Sequence, residues 1–232
     1  MGLFKQFLSL VIPQVIYETS SPISGEIKVV QQMGQRSLYV GGLVQSVTGG
    51  TRGLSKRIWG RLVEEALSAA HTNGIEIKNV LLLGLGGGTM AERLQKAIGP
   101  VPIDAVEIDQ AIVHAARDYF DLSAIANLRV VVGDATFVVT HPENFTLSFP
   151  DYSLIIVDLY LGATYPLGAG TAEFFRGLNN LLAAEGLVVF NRVSLDPDFA
   201  SKLSGCFNNI RTIEVTARGG GQNYLFLGNK KL

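Results

Sequence analysis

An apolar run, Val80 to Leu83, empties into Gly84, Gly86, Gly87 and Gly88 and passes at once into helix-forming residues; no other stretch constrains this chain as strongly. Its composition reads as strand, tight turn and helix. Between Gly88 and Glu107 there is room for one helix and one return strand, so an acid arrives at the carboxyl end of the neighbouring strand. A ribose diol would find its acceptor there. Glycines without Cβ atoms let a ligand approach the backbone closely, although a glycine-rich turn also serves a tight connection that holds no ligand.

Of the 232 residues 47% are hydrophobic, enough for a sizeable core and one main domain. The expected division is an N-terminal arm and small β meander over residues 1–50, then a Rossmann-like domain over 51–232. The formal net charge is −1 and the 19 basic residues are dispersed, which argues against nucleic acid as a partner. One cysteine, Cys206, and three scattered histidines at 71, 114 and 141 exclude an internal disulfide and offer no metal-ligand spacing. A reducing, cytoplasmic setting is the expectation, without structural zinc. The apolar segment Phe7 to Ile16 is broken by Pro13 and preceded by one Lys, so it reads as an amphipathic arm packing on this or another subunit rather than a signal or a membrane span.

Residues 24 to 46 alternate with period two about turns at Met33-Gly34-Gln35 and Gly41-Gly42, which predicts a three-stranded meander. Leu54 to Ala70 carries apolar residues at helical spacing. Strands then alternate with helices: strands over 79–83, 102–107, 128–132, 153–158 and 186–191, helices over 88–98, 109–119, 135–140 and 171–184. This pattern predicts an α/β fold with a parallel sheet covered on both faces. Asp196-Pro197 starts a helix, and the segments 210–216 and 224–227 about Gly219-Gly220-Gly221 close the chain with an antiparallel hairpin. A parallel sheet ending in such a hairpin is the layout of class I S-adenosylmethionine-dependent methyltransferases. A nicotinamide dehydrogenase continues instead with another βα unit.

Five strand ends carry the candidate chemistry. Gly84, Gly86, Gly87 and Gly88 are candidates to cradle a cofactor and Glu107 to accept from its ribose, with a solvated loop acid as the alternative for Glu107, while Asp109 is better placed to cap the next helix. Asp134 and the N–H of Ala135 suit the edge of an adenine, with capping of helix 135–140 as the competing role. Asp158, at the end of Leu154-Ile155-Ile156-Val157, is the general-base candidate; ordering of the following loop is its alternative. Tyr160 and Tyr165 in that loop, Asn191 at the fifth strand end and Gln45 in the meander are candidates for the acceptor side. Each of the tyrosines is equally compatible with packing.

From about residue 24 to 192 the chain resembles the spermidine-synthase-like branch of the class I methyltransferase superfamily. The resemblance rests on Leu43-Val44-Gln45, Val80-Leu81-Leu82-Leu83-Gly84-Leu85-Gly86-Gly87-Gly88, Val106-Glu107-Ile108-Asp109, Val132-Gly133-Asp134 and Ile156-Val157-Asp158, in that order. It implies an N-terminal meander over a Rossmann-like fold, a homodimer, and S-adenosylmethionine or its decarboxylated form as co-substrate. Glu107 then holds the ribose, Asp134 the adenine, and Asp158 matches the acid that deprotonates the attacking amine. The departures are specific. Aminopropyltransferases resemble Gly-Gly-Gly-Asp-Gly-Gly in the loop, where this chain has Gly87; they carry a second carboxylate at the position of Leu161; and Ser24-Gly25 replaces a Tyr-Gln pair. Two lost charge-assisted hydrogen bonds, each about 1.5–3 kcal/mol, weaken capture of a dicationic diamine by roughly 10²–10⁴ fold. Gly-Leu-Gly-Gly-Gly-Thr, with Asp-Leu-Tyr-x-Gly-x-x-x-Pro, is more similar to the family's methyltransferase-like members. The leading expectation is therefore methyl transfer to a small-molecule or protein acceptor of low charge. Aminopropyl transfer with an altered polyamine pocket, and a non-catalytic nucleoside-binding module, are the alternatives.

Overall fold

The computed structural model describes residues 12–48, 59–217 and 221–231. Its first sheet contains β1 (Gln14–Ser21), β2 (Gly25–Gln32), β3 (Gln35–Val40) and β4 (Leu43–Val47), paired antiparallel in chain order. Two of its turns have positive φ at both central residues, Met33-Gly34 and Gly41-Gly42, the twist that joins hairpin strands without splaying them. The meander thus has four strands, not three. The added strand begins in the last residues of the expected apolar arm and runs on to Ser21: after Pro13, the β-branched and aromatic residues Val15, Ile16, Tyr17 and Thr19 favour an extended chain. It pairs with β2 from Gln14 opposite Gln31 to Ser21 opposite Gly25. The beginning of the expected arm, to residue 11, lies outside the described residues, as do the start of the expected Leu54 to Ala70 helix and the Gly219-Gly220 turn.

The second sheet has seven strands: β5 (Val80–Leu83), β6 (Ile103–Glu107), β7 (Leu128–Val132), β8 (Tyr152–Val157), β9 (Leu182–Arg192), β10 (Phe207–Ala217) and β11 (Gly221–Lys230). They lie in the order β10-β11-β9-β8-β5-β6-β7. The five strands from β9 to β7 are parallel, and β11 and β10 run antiparallel at the far edge. This is the Rossmann-like methyltransferase layout that the closing hairpin predicted. Among the described residues six α-helices flank it: α1 (Arg61–Thr72), α2 (Thr89–Ile98), α3 (Gln110–Tyr119), α4 (Ala135–Thr140), α5 (Ala172–Leu181) and α6 (Pro197–Ser204). Where a longer helix to residue 184 was expected, α5 ends at Leu181. The intervening residues join β9 because Leu182 pairs with Tyr152 before a bulge brings Leu187 opposite Leu154. Pairing overrides the helical preference of Ala183 and Ala184.

The unbroken apolar runs follow from burial on both faces. Val80 and Leu82 of β5 enter one core with α1 and α2, while Leu81 and Leu83 enter the other with α4 and α5. Leu154/Ile156 and Ile155/Val157 of β8 divide in the same way. A third cluster sets Ile27, Val29, Leu38 and Val40 of the first sheet against Ile112, Ala115 and Phe120, so the small sheet sits on α3 and its end. Among the described residues no helix is long and apolar enough to cross a membrane.

Candidate active site

The carboxyl ends of the parallel strands and the inner wall of the small sheet enclose a cavity of about 540 Å³. Val40, Leu43, Val44, Gln45 and Ser46 form one wall; Gly84, Glu107, Asp134, Asp158 and Asn191 mark the ends of β5, β6, β7, β8 and β9 on the other. This crevice is where a parallel α/β sheet places its ligands.

Glycine-loop geometry follows from the strands around it. Gly84 has φ +96, and a Cβ there would stand 2.1 Å from the carbonyl oxygen of Asp158, so β8 can end beside it only if 84 is glycine. A side chain at Gly87 would meet Ser46 Cβ at 2.8 Å and the Phe120 ring at 2.9 Å. The Gly87 N–H donates to Ser46 Oγ at 2.7 Å, and Thr89 Oγ1 bonds both the N–H and the carbonyl of Val47 at 3.0 Å. The four glycines divide between two cavities. Gly84 and Gly86 line the cavity; Gly87 and Gly88 line a separate cavity behind the loop, against the small sheet and α2.

Glu107 is buried at 7% exposure and accepts from the N–H groups of Gly86 at 3.0 Å, Asp109 at 3.1 Å and Leu85 at 3.3 Å. Burial pushes its carboxyl above the ordinary range despite these three donors. The donors are all backbone and the acid faces the cavity, a donor set that two sugar hydroxyls would complete. Asp109 caps α3 through the Ala111 N–H at 2.9 Å, as expected. Burial alone would raise its carboxyl, but hydrogen bonds from Ser21, Ser24 and that N–H outweigh burial and hold it low. The same acid thus ties β1 to α3. Asp134 caps α4, accepting from the N–H and hydroxyl of Thr136 at 2.8 Å, so its capping role is realised while its exposed carboxylate still borders the cavity. Ala135 is the first residue of α4, where the helix itself supplies no acceptor for its N–H. Val106, Ile108 and Ile112 give this end apolar walls suited to a flat base, and the residues present fit an adenosine.

At the opposite end Asp158 accepts from Asn191 Nδ2 at 2.8 Å, with a further hydrogen bond from Trp59. Burial raises its carboxyl above the usual carboxylate range. Gln45 donates to the Gly162 carbonyl at 3.3 Å, pinning the loop after β8 to the small sheet. Tyr160 lines the cavity with its hydroxyl already engaged: it accepts from the Val193 N–H at 2.8 Å and donates to the Asn191 carbonyl at 3.2 Å. Burial first, and the charge of Asp158 second, push it up to about 12. Tyr165 takes the packing role that was its alternative. It is absent from the cavity lining; its ring carries the Arg192 guanidinium at 4.1 Å and meets Phe199 edge-on. Its apolar ring completes the aromatic core rather than the acceptor wall.

Sequence reasoning missed Ser46, Trp59 and Asn223, all of which line the cavity. Only Trp59, the single tryptophan, carried a signal, and nothing linked it to Asp158.

A family model described as "Spermine/spermidine synthase domain" matches residues 62–198. A Bifidobacterium longum protein named probable polyamine aminopropyl transferase is 30% identical over 177 residues, covering 73% of this chain and 37% of that protein. A Drosophila melanogaster eEF1A lysine and N-terminal methyltransferase homolog is 29% identical over 155 residues, covering 65% of this chain and 22% of that protein. The chain thus spans little more than a third of the first relative's length and less of the second's. Among solved structures, spermidine synthase from Thermotoga maritima superposes with a TM-score of 0.71 at 18% identity, over 94% of this chain and 73% of that one, a likeness of fold. With the family model matched over more than half of its length, the chain belongs to the spermine/spermidine synthase family.

Proposed function

We propose that the chain is an S-adenosylmethionine-dependent transferase that passes a methyl group to an acceptor of at most one positive charge, held at Asp158. One observation carries the reading. Among the described residues at the acceptor end, which include Gln45, Trp59, Tyr160, Leu161, Asn191 and Val193, Asp158 is the single acid. Position 161 is leucine, and the space a side chain would need at 87 is filled by Ser46 and Phe120. A diamine would bring two charges to one carboxylate.

Glu107 would hold the ribose, and Asp134 with the Ala135 N–H the adenine. When bound, the cofactor supplies an electrophilic carbon on a sulfonium that departs as a neutral thioether. Asp158 orients the acceptor N–H or O–H and takes its proton as the new bond forms. Its raised proton affinity suits that task, and positioning supplies the remainder of the rate.

Aminopropyl transfer is the second reading, and the name of the Bifidobacterium relative favours it over methyl transfer. The Drosophila relative's name favours methyl transfer. Calorimetry with S-adenosylmethionine and its decarboxylated form, together with transfer of labelled methyl from S-adenosylmethionine to lysate fractions, separates them. Methyl transfer predicts labelled product and no putrescine consumption. Tenfold tighter binding of the decarboxylated form with putrescine consumed establishes aminopropyl transfer instead. Binding without turnover of either leaves a nucleoside-binding module.

A further inference from the structure

Asn191 spends both ends of its amide on named partners. Its Nδ2 donates to Asp158 Oδ1 at 2.8 Å, and its Oδ1 accepts from Asn223 Nδ2 at 2.7 Å. Both asparagines are buried, at 3% and 8% exposure. Strand register explains the contact: Asn191 of β9 lies opposite Leu225 of β11, and Asn223, two residues before Leu225, shares its face and reaches Asn191 on the diagonal.

An amide has one donating and one accepting end, whereas an ionised carboxylate only accepts. Asn191 must therefore turn its NH₂ to Asp158 when that acid is charged, which points its carbonyl at residue 223. Residue 223 has to donate. A side chain there without a donor removes this constraint: either orientation of Asn191 then leaves one buried end unpaired, so presenting its carbonyl to Asp158 no longer forfeits the hydrogen bond from residue 223. A carboxylate tolerates this only when protonated. Among the described residues, the Arg192 guanidinium is engaged elsewhere: it is stacked on Tyr165 at 4.1 Å and Phe199 at 4.4 Å and pairs with Asp196 at 3.4 Å.

We propose that Asn223 is a positioning residue for the proposed transfer, acting through Asn191 to fix the carboxylate of Asp158 as an ionised acceptor facing the cavity. The role of Asp158 as proton acceptor rests on the transferase reading; the chain of amides and its effect on the acid do not. Among the described residues, Trp59 beside α1 bonds Asp158, Tyr160 and Tyr165 after β8 feel its charge and that of Arg192, and Glu107 lines the same cavity.

The test uses the ligand-free protein. A ¹³C-carboxyl NMR titration follows the Asp158 resonance, identified by its loss in D158N, in the wild type, N223V and N223T. The two substitutions are similar in shape, both β-branched and suited to a strand, and differ by one hydroxyl donor. N223V is expected to move the Asp158 midpoint upward by at least about 0.5 pH unit, a roughly threefold gain in proton affinity. N223T, which keeps a donor, is expected between N223V and the wild type. Equal midpoints in both variants overturn the proposal, even if both melt at lower temperature, because packing alone would then account for Asn223. If N223V fails to fold, the same comparison is made with N223L. Since no cofactor enters the titration, absence of nucleoside binding would sink the transferase reading and leave this result standing.

Discussion

Asp158 is held where its charge works against the fold. Burial raises its folded pKa above the unfolded value, so it favours folding only while protonated, and that contribution is lost as pH climbs through the unfolded and then the folded pKa. D158N removes the burden and can still accept from Asn191. We expect a higher Tm at neutral pH, by about 2–4 °C for each kcal/mol relieved, and no gain below about pH 3.9, where the unfolded acid is protonated too. Transfer should fall about 10²–10⁴ fold. Calorimetric melts and label transfer check both, and a lowered Tm with transfer intact would remove Asp158 from the site. Leu161 gives the complementary case. It borders the cavity and is 39% exposed, so L161D has room to add the second acid that a diamine needs. One charge-assisted hydrogen bond of about 1.5–3 kcal/mol predicts roughly 10–150 fold tighter putrescine binding by calorimetry at low salt. An unchanged affinity would mean that diamines do not reach this end of the cavity. The positions of Glu107 and Asp158 were legible because the first closes a largely apolar strand and the second directly follows one. Asn223 was not: its partner is 32 residues away, and only strand register brings them together.

At the scale of elements, the glycine loop is shared between two sheets. Its glycines read correctly as a strand-to-helix turn, but part of the reason for them was hidden. Ser46, at the end of the meander, occupies the space beside Gly87, and a contact over 41 residues leaves no local pattern. The fourth strand of the meander was obscured for a related reason. Its apolar residues adjoin the run from Phe7, and only pairing with β2 distinguishes strand from arm. Thr89 is the sharpest probe of the joint, since its hydroxyl satisfies both backbone groups of buried Val47. T89V keeps the shape and strands those two groups, at about 1–3 kcal/mol each. We expect Tm to fall by about 2–4 °C per kcal/mol, and nucleoside affinity with it, because β4 forms a wall of the cavity. If Tm falls while affinity holds, the joint supports the fold without shaping the site.

Over the whole molecule, the alternation of strands and helices was legible because burial on both faces of a parallel sheet demands apolar runs, and the terminal hairpin fixed the sheet's edge. How the small sheet sits on the large one was not legible. It depends on Asp109, which caps α3 and also receives Ser21 and Ser24, and on Arg36, whose guanidinium donates to the Tyr119 carbonyl at 2.8 Å. The cavity lies at this junction, so a nucleoside within it touches both sheets. Ligand that binds only the folded state stabilises it by about 2.7 kcal/mol at one hundred times Kd, a rise in Tm of about 5–10 °C. A ligand held by the large sheet alone would slow amide exchange in the glycine loop and at the end of β6 without altering β4. A ligand clasped between the sheets must also slow exchange in β3 and β4 and in the loop that Gln45 pins. Hydrogen exchange with saturating S-adenosylmethionine should therefore protect Tyr39 to Val47 together with Leu83 to Thr89. Protection confined to the second segment would mean that the small sheet serves something other than the cofactor.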